Sequence, residues 1–162
     1  MTIKILISGG TFDKEYNSLT GELSFKKSHV NEMLRLGRLR LNIKIKTVMM
    51  KDSQSMTDVD RKKILKECQT CIENKILITH GTDTMTETAK LLGQHIKDKT
   101  IILTGAMIPY AFGSSDGLFN LGSALAFIQT LPPGVYISMN GKFFDWDNAR
   151  KNKQTGLFEE IK

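Results

Sequence analysis

Short apolar runs alternate along this chain with stretches of helical periodicity. Ile3–Ser8 (IKILIS), Ile43–Met50 (IKIKTVMM), Lys75–Thr79 (KILIT), Thr100–Leu103 (TIIL) and Val135–Met139 (VYISM) have the brevity and apolar content of buried strands. Between them, Ser28 caps a short helix through Leu36, Thr57 one to about Glu73, and Asp116 one to about Thr130. That last helix carries Leu118, Leu121, Leu125, Phe127 and Ile128 nearly all round, which predicts burial. The most informative stretch is Ile78–Leu92 (ITHGTDTMTETAKLL). Its strand stops at His80-Gly81, and Met85, Ala89, Leu92 and Ile96 then recur at helical spacing. Thr84 with Glu87 reads as a capping box, with Asp83 competing for the N-cap. Thr82 and Asp83 therefore fall on a tight turn, facing the unpaired N–H groups and positive end of a helix.

Strands alternating with helices predict an α/β fold. The sheet is open, doubly wound and mainly parallel, with helices on both faces in a three-layer, flavodoxin- or Rossmann-like arrangement. With no repeat, low-complexity segment or linker, residues 1–162 read as one domain. In such sheets ligands bind beyond the carboxyl ends of the strands. The polar segments at 8–11, 51–55, 80–84, 104–109 and 140–151 each follow a strand and are expected to converge there. The long polar stretch Phe12–Ser28 is expected to be a lid loop.

Composition narrows the function classes. Charged residues at 25% and hydrophobic residues at 40% describe an ordinary soluble globule, and no run approaches membrane-spanning length. The net charge of +6 comes from dispersed lysines without interleaved aromatics, so it reads as a solvated surface and not a nucleic-acid interface. The Met1 end enters a strand directly, without the apolar core of a signal peptide, and the cytoplasm is the expected location. Cys68 and Cys71 form one C-x-x-C with no second pair. Sharing a helical face with Ile64, Leu65 and Ile72, they are expected to be reduced core residues and not a metal site.

Gly9-Gly10-Thr11 invites comparison with phosphate loops, but neither G-x-x-x-x-G-K-[ST] nor G-x-G-x-x-G is present. The second reading is nucleophilic catalysis: two glycines let a ligand approach the backbone beside the Thr11 hydroxyl. Thr82 and Asp83 add a hydroxyl and a carboxylate on another strand end. No histidine is nominated as base. His80 is expected to be structural, and His29 and His95 fall in surface-like segments.

Together these segments resemble the bacterial-type L-asparaginases. SGGTF (8–12) is similar to the family's first signature, and HGTDTM (80–85) followed by Glu87-Thr88-Ala89 to its second. DSQSM (52–56) resembles its substrate-binding segment. LTGAM (103–107) with Pro109, Ser115-Asp116-Gly117 and Asn120-Leu121 resemble the region after it. The resemblance implies hydrolysis of the side-chain amide of L-asparagine to L-aspartate and ammonia, through a threonine acyl-enzyme, with no metal or organic cofactor. By motif position Thr11 corresponds to the nucleophile, Tyr16 to the phenol that activates it, and Thr82 to the second catalytic threonine. Asp83 corresponds to the carboxylate holding the α-amino group. Lys151 corresponds to the catalytic lysine serving Thr82 and Asp83, with Lys153 as its fallback. Gly10, Ser53 and Gln54 complete the substrate-binding set. Glutamine is the alternative substrate, since one methylene changes selectivity by only about 1–3 kcal/mol.

Family members continue into a smaller C-terminal domain that supplies a neighbour's site with an acidic residue. The resemblance here covers the N-terminal catalytic domain alone. The expectation is a short single-domain form working as a homo-oligomer, with Glu15 or Asp13 standing in for that acid. Two rival readings are an amino-acid-binding module with little turnover and an amidase subunit supplying ammonia to a partner amidotransferase.

Overall fold

The apolar runs place the sheet, and the sheet places everything else. The computed structural model describes all residues from Met1 to Lys162. In chain order the elements are β1 (Thr2–Gly9), β2 (Lys14–Asn17), β3 (Glu22–Phe25), α1 (Val30–Leu36), β4 (Asn42–Lys51), α2 (Asp58–Thr70) and β5 (Lys75–Thr79). They continue with α3 (Met85–His95), β6 (Thr100–Thr104), α4 (Gly117–Thr130), β7 (Gly134–Met139), β8 (Lys142–Asp145), β9 (Arg150–Lys151) and β10 (Phe158–Glu159). The main sheet runs β4-β1-β5-β6-β7-β8. All its pairings are parallel except β7 with β8. Helices α2 and α3 cover one face, around Ile64, Met85, Ala89, Leu92 and Ile96. Helices α1 and α4 cover the other, around Val30, Met33, Leu121, Ala124 and Ile128. This is the expected doubly wound architecture, and all five predicted strands are present.

The strand order reverses beside β1: the chain moves from β1 outward to β4, then back across to β5. A crevice opens at such a reversal because the flanking connections leave on opposite faces. Thr11 follows β1 and Thr82 follows β5, and these two strands are hydrogen-bonded neighbours up to Ile7 opposite Thr79.

Several local expectations are corrected. The 12–28 segment is no irregular loop: after a 3-10 turn at Thr11–Asp13 it forms a hairpin in which Lys14 pairs Phe25 and Tyr16 pairs Leu23. Its base is closed by buried Asp13, whose Oδ1 accepts from His29 N–H at 2.7 Å and from Ser28 Oγ at 3.1 Å. His29 is thus buried under the hairpin, not on the surface. Thr84 does not form a capping box. It stands at the N-cap of α3, but its hydroxyl donates to the Ser53 carbonyl at 2.9 Å, a tertiary partner that displaces the local one. Asp116 likewise begins α4 without capping it. Helix α4 is apolar on two sides but buried on one, leaving Leu118 and Phe119 exposed. Ile72 lies past the end of α2 and is 86% exposed, so it does not share the core face of buried Cys68. Thr57 caps α2 as expected, in a reciprocal box with Asp60. Such a cap contributes about 1 kcal/mol.

The last missed element is β8. Asn140 and Gly141 both have positive φ (56° and 77°) and join β7 to β8 as a two-residue turn, the conformation that Asn-Gly adopts at least cost. The Asn140 side chain also accepts from Phe158 N–H at 2.9 Å, fastening β10, and with it β9, to the main sheet.

Candidate active site

The site is assembled by close backbone approach. Gly10 has φ 79°, and a Cβ there would lie 2.4 Å from Gly81 N. The turns after β1 and β5 therefore touch main chain to main chain, at the residues that immediately precede Thr11 and Thr82. A Cβ on Gly81 would in turn lie 2.5 Å from Ser53 Oγ, so the 3-10 turn Ser53–Ser55 packs on the same point. Gly105 closes the other side, where a Cβ would lie 2.3 Å from His80 O. Gly10 N–H donates to Lys51 O at 2.8 Å, tying in the end of β4. The five polar segments converge as their positions after the strands predict.

On this backbone sits a connected polar network. Lys151, on β9, donates from Nζ to Thr82 Oγ1 at 2.8 Å and to Asp83 Oδ1 at 2.7 Å. The other Asp83 oxygen accepts from Gln54 Nε2 at 2.9 Å. The Thr82 hydroxyl donates in turn to Met107 Sδ, 3.6 Å away. Donation by the Lys151 ammonium holds the Asp83 carboxyl below its ordinary range, against a smaller upward push from burial. Beyond Gln54, its N–H donates to Asp52 Oδ1, and Asp52 is paired with Lys14 at the foot of the hairpin. Burial pushes the Asp52 carboxyl up, but the Lys14 ammonium and the Gln54 N–H outweigh it and leave it lowered. A cleft of about 590 Å³, lined by Gln54, Asp83, Thr86, Met107, Lys151 and Lys153, opens onto these groups. A separate groove of about 390 Å³ between α4 and the 37–41 segment is mostly apolar and holds no such network.

The sequence-predicted residues fall into three groups. Thr82, Asp83, Lys151 and Gln54 are directly bonded to one another. Gly10 and Ser53 adjoin them at Gly81, and Thr11 follows Gly10 in the chain without a hydrogen bond from its side chain to any of them. Ser53 is fully buried, and its hydroxyl accepts from Thr84 N–H at 3.4 Å, so it supports the turn from within. Tyr16 stands apart: it is 58% exposed on β2, and no hydrogen bond joins it to Thr11, Thr82 or Lys151. Lys153 lines the cleft without a partner, which separates it from Lys151. Glu15 faces away into the hairpin base, with Oε1 3.0 Å from His29 Nε2 although off the axis of that ring N–H, and Lys26 at 3.6 Å. Asp13 is buried beneath the hairpin, and burial raises its carboxyl pKa. Both are thus engaged in holding the hairpin.

His80 is structural, as expected. It is fully buried, with Nδ1 2.7 Å from Gly81 O and Nε2 2.8 Å from Thr88 Oγ1, and burial depresses its pKa to about 4. A neutral ring therefore braces the turn that carries Thr82. Residues not anticipated include Lys14, Met107 and Asp116, whose carboxylate accepts from both Met107 N–H and Ile108 N–H at 3.0 Å and so shapes the segment after β6. An Asp preceding a helix is a cap signal by default, and only tertiary structure reveals this longer-range use. The backbone N–H groups of Thr82 and Asp83 are unpaired within the chain.

The family model described as asparaginase, N-terminal, matches residues 2–159. L-asparaginase 2 of Escherichia coli K12 is 34% identical over 96% of this chain and 47% of its own length. The thermostable L-asparaginase from Thermococcus kodakarensis superposes with a TM-score of 0.87 at 27% identity, over 99% of this chain and 51% of that one. A probable cytoplasmic L-asparaginase from Campylobacter jejuni gives 0.77 at 32% identity, over 92% and 49%. The chain spans about half the length of these relatives. No helix in it is long and apolar enough to cross a membrane.

Proposed function

The chain belongs to the asparaginase family, over that family's N-terminal region, and from this premise we propose that it hydrolyses the side-chain amide of L-asparagine to L-aspartate and ammonia. The observation that carries the reading is the junction of Lys151, Thr82 and Asp83, together with the close contact of Gly10, which precedes Thr11, with Gly81, which precedes Thr82. An amino-acid substrate brings one cationic and one anionic end. Asp83 takes the α-ammonium, displacing the Gln54 amide that occupies it here, and Gln54 is freed to donate to the α-carboxylate. Thr11 Oγ then attacks the amide carbon, its hydroxyl proton passing by way of Tyr16 to the amide nitrogen, so that the C–N bond breaks with neutral ammonia as the leaving group. The charge on the tetrahedral oxygen is met by backbone donors, for which the unpaired N–H groups of Thr82 and Asp83 are available. Ammonia leaves, and water resolves the acyl-enzyme with Thr82 and Lys151 relaying its proton. Lys151 donates to Thr82 as long as it is an ammonium; to act as base it must first lose a proton, and its 16% exposed position between a hydroxyl and a carboxylate keeps it within reach of both. Tyr16 joins when the hairpin closes over bound substrate.

The cytoplasm as the site of action and assembly from several copies are part of the proposal. Ile108, Phe112, Leu118 and Phe119 expose apolar surface, between β6 and the first turn of α4, that another copy would cover. Steady-state ammonia release from asparagine and from glutamine, at several protein concentrations, tests the reading. Turnover of asparagine that Thr11→Ala abolishes supports it. The exposed, unpartnered Tyr16 favours one alternative, an amino-acid-binding module. Tight L-aspartate binding by calorimetry with no ammonia released would establish that alternative instead.

A further inference from the structure

Met107 holds an unusual place among the eight methionines. Met33, Met56, Met85 and Met139 are buried, while Met49 and Met50 are half-buried along β4. Met107 is 41% exposed, more than any methionine except Met1, and it lines the cleft with Asp83 and Lys151. Its sulfur lies 3.6 Å from Thr82 Oγ1 and accepts a hydrogen bond from that hydroxyl. Its methyl end lies against Gly156, where a Cβ would come within 3.0 Å. Its own backbone is pinned, since Met107 N–H donates to both Asp116 oxygens at 3.0 Å. The sulfur is therefore held in front of Thr82.

A thioether is a weak acceptor, and this matters for the proposed reaction. The Thr82 hydroxyl gives its proton up readily to a better partner, such as substrate or water. A sulfoxide oxygen at the same place would be a strong acceptor and would add an atom to the space between Thr82 and Gly156. We propose that Met107 is a redox modification site: a hydroperoxide entering the cleft oxidises its sulfur, and the sulfoxide withdraws Thr82 from its role. The sulfur takes one oxygen atom from ROOH, giving up two electrons; the O–O bond breaks and ROH leaves. A methionine sulfoxide reductase reverses the change, removing that oxygen as water at the expense of two thiols, which become a disulfide. Coverage of the neighbouring apolar surface by another copy does not protect the sulfur, because any route that admits an amino acid admits a peroxide.

The inference rests on the proposed amidase reading, and its test keeps the two apart. The intact protein is titrated with hydrogen peroxide, and each point is read both by peptide mass spectrometry and by ammonia release. Met107 should gain one oxygen ahead of Met33, Met49, Met50, Met56, Met85 and Met139. Activity should fall in step with it by about tenfold, the scale of one misdirected hydrogen bond. Methionine sulfoxide reductase with a dithiol should restore it. Met107→Leu, compared with its own untreated activity, should keep that activity through the same titration. Oxidation of the other internal methionines before Met107, or equal peroxide sensitivity of Met107→Leu, would overturn the inference. So would full activity with Met107 quantitatively oxidised. If the untreated protein releases no ammonia, the amidase reading fails and the switch with it, while the order of oxidation still reports whether this sulfur is selectively exposed.

Discussion

Replacing Lys151 by methionine removes the ammonium while keeping most of the side chain's length. Two bonds are lost, to Thr82 Oγ1 and to Asp83 Oδ1. For stability the effect is small. The Lys151 side chain is 16% exposed but its partner Asp83 is 43% exposed, so solvent screens the pair and about 0–1 kcal/mol is at stake. In a chain of this size that lowers Tm by at most about 2–4 °C, and the variant stays folded at 25 °C. For catalysis the effect is large. A positioned proton-transfer group typically contributes about 10²–10⁴-fold, equivalent to about 3–5 kcal/mol of barrier. Loss of the ammonium also lets the Asp83 carboxyl drift back up toward its ordinary range, because the lysine is the leading cause of its depression. The assay pairs steady-state ammonia release with urea denaturation, using Lys153→Met as control. Lys153 lines the same cleft but bonds to nothing, so its loss should leave kcat nearly unchanged. Lys151→Met retaining activity within about threefold, under ~0.7 kcal/mol of barrier, would refute the assignment. So would a loss of activity that merely tracks unfolding.

Other consequences follow from the packing and the titratable groups. Gly81→Ala drives a methyl to 2.5 Å from Ser53 Oγ and should cost about 1–3 kcal/mol. Gly122→Ala, with open space around its Cβ position on α4, should instead gain about 1 kcal/mol; urea denaturation of the pair checks both signs. His80, with its folded pKa depressed to about 4, is neutral in the native state, so the unfolded chain binds the extra proton between pH 4 and 6.5. Stability from this group is complete above pH 6.5 and is lost as pH falls toward 4, by up to about 3 kcal/mol. The slope should vanish in His80→Gln. Asp60, held at about 2 by donation from Lys51, loses its contribution only below about pH 3.8, so the windows are distinct. His29→Ala should speed hydrogen exchange across 14–25 without altering exchange in β5 or β6, because His29 packs on Tyr110 at 5.5 Å and faces Glu15 from below the hairpin. Unchanged hairpin exchange would show that the Asp13 clip and the Lys14–Asp52 pair hold its base without His29.

The sheet and its convergent edge were legible because both faces of the central strands are buried. Burial on both faces gives β1, β5, β6 and β7 unbroken apolar runs, and their ends can be read to within a residue or two. The hairpin was not legible: Lys14–Asn17 is polar, and Glu22–Phe25 alternates Leu23 and Phe25 over only four residues outside the core, too short a run to mark a strand. Strand β8 is missed by periodicity although Asn140-Gly141 is a strong local signal. Within the site, Thr82 and Asp83 were legible as residues of a strand-to-helix turn. Lys151 was reached only through family resemblance, since β9 is two residues long and held by Asn140 from another part of the chain. Local rules failed where a distant partner won. Thr84 bonds Ser53, and Asp116 bonds the 107–108 backbone, where each has the sequence of a helix cap.

Those failures share a physical cause that also divides the site into two parts. Thr11, Thr82 and Asp83 stand on turns that touch through glycine backbones, with no side chain between them to yield. The chain of bonds from Lys14 through Asp52, Gln54, Asp83 and Lys151 to Thr82 and Met107 crosses those same turns. This part is set by the sheet's own packing, and damage to its glycines costs stability and geometry together. Tyr16 rides on a hairpin joined to the domain by the Asp13 clip, the Lys14–Asp52 pair and the Glu15–His29 contact. Its position depends on a small number of polar contacts at the edge of the core, and opening the hairpin uncovers little apolar area. Substitutions there should change kcat while leaving the denaturation midpoint nearly fixed. In the proposed reaction, acylation, which would ask the hairpin to close, is therefore the step whose rate the domain could tune without disturbing its fold.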